Sequence, residues 1–401
     1  MLKKQPPVGG INKAYHYRLY PNQEQQKYLD HTFHAVRKTW NVLLDRATKV
    51  YQAYKADPSL DKPGVSGFDF VNRATLLKYE EGLEWLSEVS SQALNQKALD
   101  LGNAYRSFFK RSGYPRFKSV FRPQSFRLMK ADFKLEGGKM ILPKLKLPIK
   151  VRWSRDLPSL PSQLTLSKDR VGHYHVSFLC LVTPVPTNGT EHIAIDLGVK
   201  DLCVLSDGTR ISNPKKYLEL QDKLARLQRQ HEKSKKDGKN REKLRIKIAK
   251  VYKRIRNYTL DLLHKLTTSL VRRSKAIVIE DLNVAGMVLN HHLARHIIGA
   301  QFGTIRRLLE YKCRASSWCN VVIADRFMPS TNKCSVCGLK PSVKLKLETR
   351  KWTCEHCQAV HDRDYNASLN LLKVLEYGYV SKAMDEYPGS VIRANQRPEI
   401  A

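Results

Sequence analysis

Acidic residues are scarce in this chain. Its 401 residues include 37 Asp and Glu against 71 Lys and Arg, a formal net charge of +34. A compact body with that excess repels itself. The deficit therefore excludes an enzyme that carries charge only for solubility and calls for a polyanionic partner, nucleic acid or an anionic membrane. Long apolar runs are missing too. The longest, around Val176 to Val182, falls far short of the ~18 residues a spanning helix needs. The opening MLKKQPPVGG has two lysines with no apolar stretch behind them, so no secretory signal is expected, and neither end carries a lipidation motif. No internal repeat is visible. Disorder is excluded for most of the chain by 42% hydrophobic residues, 5 Trp, 12 Phe and 18 Tyr. A soluble intracellular protein of two or three domains is expected.

Periodicity divides the chain. AYHYRLY, Tyr15 to Tyr20, alternates as a strand. Pro21 opens a helical stretch with Leu29, Phe33, Val36 and Trp40 at helical spacing, and helices are expected near 71–77 and 90–109. From GYPRFK, Gly113 to Lys118, to Val185 the signals are short strands broken by Pro and Gly, which predicts a small β-barrel or sheet that the strand at 15–20 completes. PVPTNGT, from Pro184, reads as a linker. HIAIDLGVKDLCVLSDGTRI then predicts two strands, with a turn at Asp207-Gly208. A helical hairpin is expected over 214–257, with stripes Leu220, Leu224, Leu227 and Leu244, Ile248, Val251, Ile255. From Lys215 to Arg256 it holds 17 Lys and Arg against 5 Asp and Glu, a net +12. A separate helix 258–273, the strand AIVIEDL, two helical segments, the strand NVVIAD and a last helix 365–377 follow. The polar residues 380–401 are expected to form a flexible tail.

Three acidic residues stand at element ends: Asp196 after HIAI, Glu280 after AIVI, and Asp364 opening the last helix. A lone carboxylate at the end of an apolar strand is costly unless it is paired or binds metal. Three in one domain can hold two Mg²⁺ ions, one activating water and the other stabilising the leaving oxygen of a phosphodiester. Taken singly, each equally fits a helix cap or turn. Asp362 is an alternative to Asp364. Asp201, Asp207 and Asp281 read as turn residues.

Cys334 and Cys337 form CSVC and Cys354 and Cys357 form CEHC, with sixteen residues between the pairs. That spacing fits a tetrahedral structural Zn²⁺ site, with VKLKLE and RKWT as the ribbon hairpin; disulfides are the alternative. His356 and His361 are possible substitutes for a ligand. Four thiolates leave no open position for a catalytic water. RSFFKRSGYPRFKSVFRPQSFRLMK interleaves basic and aromatic residues, which suits phosphate contact with base stacking; an amphipathic surface with Phe108 and Phe109 facing the core fits as well.

Several segments together carry a resemblance. These are RLYPNQEQ with Arg37 and Asn41 downstream, SSQALNQKALDLGNAYRSFFK, GYPRFK, AIDLGVK, VIEDLNVAGM, STNKCSVCG, and CEHC followed by HDRDYNASLNLL. From about residue 14 to 377 the chain resembles the TnpB (OrfB) family of insertion-sequence proteins, relatives of type V CRISPR effector nucleases. The resemblance implies a multidomain α+β protein. A wedge-like β-barrel domain, residues 1–20 and 112–185, would hold an inserted helical recognition domain, 21–111. A RuvC, ribonuclease H-like, nuclease domain, 190–329 and 361–379, would carry a zinc ribbon, 330–360. It further implies an RNA-guided DNA endonuclease that cuts double-stranded DNA beside a short motif, with guide RNA and target DNA as partners, in the prokaryotic cytoplasm at the nucleoid and away from membranes. Family catalytic positions fall on Asp196, Glu280 and Asp364 for magnesium, with Arg363 and Asn366 as supporting residues and the four cysteines on zinc. Gln358 departs from the family pattern, which has Gly there. An RNA-independent transposase of the DDE type and a non-enzymatic zinc-ribbon regulator are the competing functions.

Overall fold

The structure, a computed structural model, describes residues 10–61, 64–110, 112–186, 188–198, 201–212, 215–288, 301–345, 348–376, 378–386 and 389–394. The chain divides into two compact units, Met1–Thr183 and Pro184–Ala401.

In the first unit, β1 (Ile11–Leu19) buries Tyr15, Tyr17 and Leu19 on one face, the two-residue period of a strand. Asn22 then caps α1 (Gln23–Ala56). Its side chain accepts from the Gln25 amide at 2.8 Å and the Gln25 side chain accepts from the Asn22 amide at 2.9 Å. The helix stops just before Asp57-Pro58, where proline disfavours helical geometry in its predecessor. After α2 (Gly67–Leu76) and α3 (Ser91–Phe109) come six strands: β2 (Gln124–Met129), β3 (Lys134–Glu136), β4 (Lys139–Ile141), β5 (Ile149–Arg152), β6 (Gln163–Lys168) and β7 (Tyr174–Val182). The helices α2 and α3 meet at two glycines: a Cβ on Gly102 would stand 2.5 Å from Gly67 Cα. The sheet order is β2-β6-β7-β1-β5-β4-β3. β1 lies inside it, paired residue for residue with β7 from Ile11↔Val182 to Leu19↔Tyr174. The three helices therefore leave and re-enter one sheet. The hydrogen-bonded order ends at β2 and β3, so of the expected barrel or sheet the described strands form a sheet; β3 and β4 are short and pair with each other and with β5.

The second unit is built on a six-stranded sheet of order β10-β9-β8-β11-β12-β15. Its strands are β8 (Glu191–Leu197), β9 (Asp201–Leu205), β10 (Arg210–Ser212), β11 (Ser274–Glu280), β12 (Asn320–Ala324) and β15 (Val391–Arg393), with the small pair β13 (Lys351–Thr353) and β14 (Val360–Asp362) apart. β8, β11, β12 and β15 run parallel; at one side β9 pairs antiparallel with β8, and β10 antiparallel with β9. Alternate residues serve the two faces. Ile193, Ile195, Ile277, Ile279, Val321 and Ile323 pack under α5 (Lys239–Arg273) and α7 (Phe302–Ser316). Ala194, Ala276, Val278, Val322 and Ala324 pack under α8 (Arg363–Leu372) and α9 (Gly378–Glu386). α6 (Val284–Val288) is a short turn of helix before residues 289–300, so the described part of the second expected helical segment is α7.

Two expectations fail here. α4 (Lys215–Lys233) pairs with α5 as the expected basic hairpin, but α5 continues unbroken through Tyr258, because Thr259, Leu263, Thr267 and Leu270 extend its buried stripe onto the sheet. The expected flexible tail from Val380 is instead structured as far as Ala394. Val380 and Met384 join the core, and β15 adds to β12. Buried Asn320 holds this edge by accepting from the Ser390 amide at 2.9 Å. Residues 395–401 lie outside the described residues. No described helix is long and apolar enough to cross a membrane.

A chain ended at Glu386 should lose the β15 ladder and leave the Asn320 carbonyl unsatisfied, at a cost of about 2 kcal/mol. The thermal transition should fall by roughly 4–8 °C. An unchanged transition in differential scanning calorimetry would place residues 387–401 outside the cooperative fold.

Candidate acidic centre and cysteine cluster

The parallel register sets Ile195 opposite Ile279, and the next residue on each strand is Asp196 and Glu280. Two carboxylates thus emerge side by side from the carboxyl ends of adjacent parallel strands, the usual location of sites in open α/β sheets. α8 packs on β8 and brings Asp364 in its first turn to the same end. All three are half-buried. Burial pushes the Asp196 carboxyl well above the ordinary carboxylate range, and the charges of Glu280 and Asp364 push it further, while Arg363 works against them. Burial also raises Glu280, opposed by a hydrogen bond from Ser330 Oγ to Glu280 Oε1. Asp196 senses both other carboxylates, yet the oxygens of the three do not all lie within 4.8 Å, the span met among the described residues by the four cysteines and by Asp169, His173 and His175.

Neighbours separate the roles of the acidic residues. Asp362 caps α8, accepting from the Tyr365 amide at 3.1 Å, and pairs with Arg210 at 2.6 Å. Asp364 pairs with the more exposed Arg350 at 3.2 Å. Asp207 forms the turn read from the sequence, accepting from the Thr209 amide at 2.8 Å. Asp281 is more than a turn residue: Arg306 reaches its carboxylate at 2.6 Å and Arg326 at 2.9 Å, so two elements are tied to the loop that follows Glu280.

The Sγ atoms of Cys334, Cys337, Cys354 and Cys357 all lie within 4.8 Å of one another. Both turns have the same build. The Gly338 amide donates to Cys334 O at 3.0 Å and the Cys334 amide to Leu339 O at 2.9 Å; the Gln358 amide donates to Cys354 O and the Cys354 amide to Ala359 O, each at 2.9 Å. The residue closing each turn is left-handed, Gly338 at φ +76° and Gln358 at φ +58°. The departure at Gln358 therefore falls on a backbone position that suits glycine. The Cys357 amide draws the Cys354 thiol down to about 6. Four thiols gathered this closely match the donor set of a tetrahedral soft-ligand ion. His361 lies beside Cys334 Sγ, at 3.0 Å, and its ring lies against Trp352. His356 turns away to Glu355 at 3.3 Å. The ribbon strands differ from expectation. Trp352 pairs with His361 across the second turn, so RKWT pairs forward with Val360–Asp362, and no described residue of VKLKLE is a strand, Lys346 and Leu347 lying outside the described residues.

Asn366, expected beside the acidic centre, joins the cysteine turn to α8. It accepts from the Ser335 amide and donates to Lys333 O, each at 2.8 Å. Asn370, one turn on, donates to Lys333 O at 2.7 Å and to Ser330 O at 2.8 Å. Asn370, Ser330, Arg350 and the wider role of Asp281 were not legible as site features. The available signal was two asparagines at i and i+4 on the buried face of an amphipathic helix.

In the first unit, Asn41 donates to Lys118 O at 3.0 Å and accepts from the Lys118 amide at 2.8 Å, and Trp40 Nε1 donates to Arg116 O at 3.1 Å. α1 thereby fixes GYPRFK. The aromatics of the basic stretch divide: Phe126 is buried and Phe108 packs on the core, whereas Phe109, Phe117 and Phe121 are exposed.

Residues 173–291 match the IS605 OrfB family model, described as a probable transposase; 302–371 match the model of the Cas12f1-like TNB domain, and 11–56 a helix-turn-helix model of the same OrfB family. A Streptomyces pristinaespiralis protein named "Putative RNA-guided DNA endonuclease" is 40% identical over 90% of this chain and 89% of its own length. InsQ of Escherichia coli K12, which carries the same description, is 31% identical over 72% of this chain and 75% of its own. Among solved structures, a Cas12f1–sgRNA–target DNA complex has a chain that aligns at TM-score 0.55 and 12% identity, covering 90% of this chain and 99% of its own.

Because Asp196 binds its proton more tightly folded than unfolded, its contribution to metal-free stability is greatest in acid and is lost as pH rises through its raised range. Asp196→Asn should accordingly stabilise the metal-free protein by about 1–2 kcal/mol at pH 8, and the gap should close as pH falls towards the ordinary carboxylate range. Denaturant unfolding at both pH values checks this, and a gap that does not change with pH contradicts it. Gln358→Gly should relieve the left-handed strain and raise stability of the cysteine segment by roughly 0.5–1 kcal/mol. A hydrogen-exchange comparison over residues 350–362 should show slower opening, and faster opening would refute the strain.

Proposed function

The chain belongs to the OrfB (TnpB) family of IS605-type insertion-sequence proteins, and on that premise we propose that it is an RNA-guided DNA endonuclease whose cutting centre is Asp196, Glu280 and Asp364. One observation carries the reading: three mutually repelling carboxylates meet at the carboxyl end of a parallel sheet in a chain with a net charge of +34. The all-oxygen donor set, in which burial first and then the charges of Glu280 and Asp364 raise Asp196, suits a hard divalent cation. Asp196, Glu280 and Asp364 would hold Mg²⁺, in the two-ion arrangement read from the sequence. Bound there, magnesium supplies charge neutralisation and an activated water at a phosphodiester. Ser330 orients Glu280, and Arg363 offsets the carboxylate charge.

In this reading residues 1–20 and 112–185 form the wedge domain, 21–111 the recognition domain, and 190–329 with 361–379 the RuvC domain. Residues 330–360 form a ribbon in which Cys334, Cys337, Cys354 and Cys357 hold structural Zn²⁺. The fold likeness to a chain solved with sgRNA and target DNA, and the naming of close relatives, support guide RNA and double-stranded DNA as the partners. The exposed Phe109, Phe117 and Phe121 and the basic α4–α5 hairpin are suited to that polyanion. The protein would act in the cytoplasm, at the nucleoid.

Purified protein should retain a structured RNA. Asp196→Ala, Glu280→Ala and Asp364→Ala should each cut cleavage of matched duplex DNA by on the order of 10³-fold or more while leaving RNA retention unchanged. Equal cutting by RNA-free protein would favour a transposase of the DDE type. Unaltered activity in all three variants would favour a non-enzymatic regulator.

A further inference from the structure

The turn between β6 and β7 and the first residues of β7 carry a carboxylate and two imidazoles that the acidic centre and the cysteine cluster leave unused. We propose that Asp169, His173 and His175 form a separate transition-metal site in the N-terminal unit, for a borderline divalent ion such as Zn²⁺. One ligand atom from each residue lies within 4.8 Å of the other two. Asp169 Oδ2 stands 3.4 Å from His175 Nε2 and 3.8 Å from His173 Nδ1. Two ligands each about 2.1 Å from a tetrahedral ion are about 3.4 Å apart, so of the three edges one is already set, a second needs a shift of a few tenths of an ångström, and the third, between the two imidazoles, lies within 4.8 Å.

The ligands are held from behind. Asp169 Oδ1 accepts from the amides of Val171 and His173, both at 2.9 Å, which directs Oδ2 at the imidazoles. The turn itself closes through the Asp169 amide to His173 O at 2.9 Å and the Gly172 amide to Asp169 O at 3.0 Å, with Gly172 at φ +85°. His173 and His175 are two residues apart, the spacing that puts side chains on one face of a strand. The His175 ring lies parallel to His16 of β1, with centroids 4.8 Å apart. Such supports fix ring and carboxylate orientation in metal sites.

Two nitrogens and one oxygen select zinc, nickel, cobalt or copper over magnesium. Arg18 faces His175 across the β1–β7 ladder, and its charge reaches Asp169. It offsets part of the carboxylate charge, so this ion should be held more weakly than one on four thiolates. Bound metal would fasten the β6–β7 turn to the strand that follows it.

The test is zinc stoichiometry and coordination in untagged full-length protein equilibrated with micromolar free zinc and a large excess of magnesium, which keeps the acidic centre from taking zinc. Wild type should hold two equivalents, with X-ray absorption showing sulfur together with nitrogen and oxygen. His173→Gln and His175→Gln should each hold one equivalent with sulfur alone. Cys334→Ser with Cys337→Ser should keep one with nitrogen and oxygen alone. A mild chelator should remove the nitrogen- and oxygen-bound equivalent first. A single equivalent in wild type, an all-sulfur environment there, or two equivalents retained in both histidine variants overturns the site. The wild-type measurements decide the question even for a variant that fails to fold.

Discussion

Like charge at the carboxyl end of a parallel sheet is the constraint on which the second unit turns. Asp196 and Glu280 sit one residue beyond a paired isoleucine on neighbouring strands, and the register that buries Ile195 and Ile279 puts the two carboxylates together. A one-residue slip in either strand would turn those isoleucines out of the core, so the hydrophobic pattern that stabilises the sheet also enforces the repulsion. The cost is tolerable only with compensation. In the protein alone it comes from Arg363 near Asp196, from Ser330 on Glu280 and from Arg350 on Asp364. In the proposed function a divalent cation would take over this compensation.

The cysteine turns belong to the same arrangement. Asn366 and Asn370 tie residues 330–335 to α8, the helix that carries Asp364, and Ser330 passes from that segment to Glu280. The cysteine cluster therefore acts through position. It holds the segment from which Glu280 is oriented and on which α8 rests. Asp281, clamped by Arg306 and Arg326, fixes the other side of the Glu280 strand end.

Much of this was legible in the sequence, for physical reasons that differ by element. Strands β8, β11 and β12 are continuous apolar runs, as fully covered parallel strands must be, and each is visible at once. The cysteine spacing encodes a tetrahedral cluster directly. What sequence could not carry was pairing. VKLKLE alternates like a strand, but RKWT found its partner on the far side of the second cysteine turn. A separate helix was expected from Tyr258, whereas Thr259 and Thr267 are buried and carry α5 through. The chain beyond Val380 looked polar because only a few of its side chains, Val380, Met384 and Ala394 among them, face the core. Asp281 and Ser330 owe their roles to contacts made far along the chain, and no local pattern marks them.

The scarcity of acid with which the sequence opens acquires a place in this picture. The few carboxylates are spent on capping, on arginine clamps and on one centre that needs positive charge, while the α4–α5 hairpin and the stretch around 106–130 are left strongly basic. A guide RNA is the partner that explains both features together, and guide dependence can be read directly. The RNA that co-purifies with the protein is sequenced, its guide segment is replaced by an unrelated sequence, and the reconstituted complex is given DNA bearing the old and the new match. Cleavage that moves to the new match, and requires magnesium, is the expected result. Cleavage that stays at the old site, or cuts both DNAs alike, would contradict RNA-guided cutting.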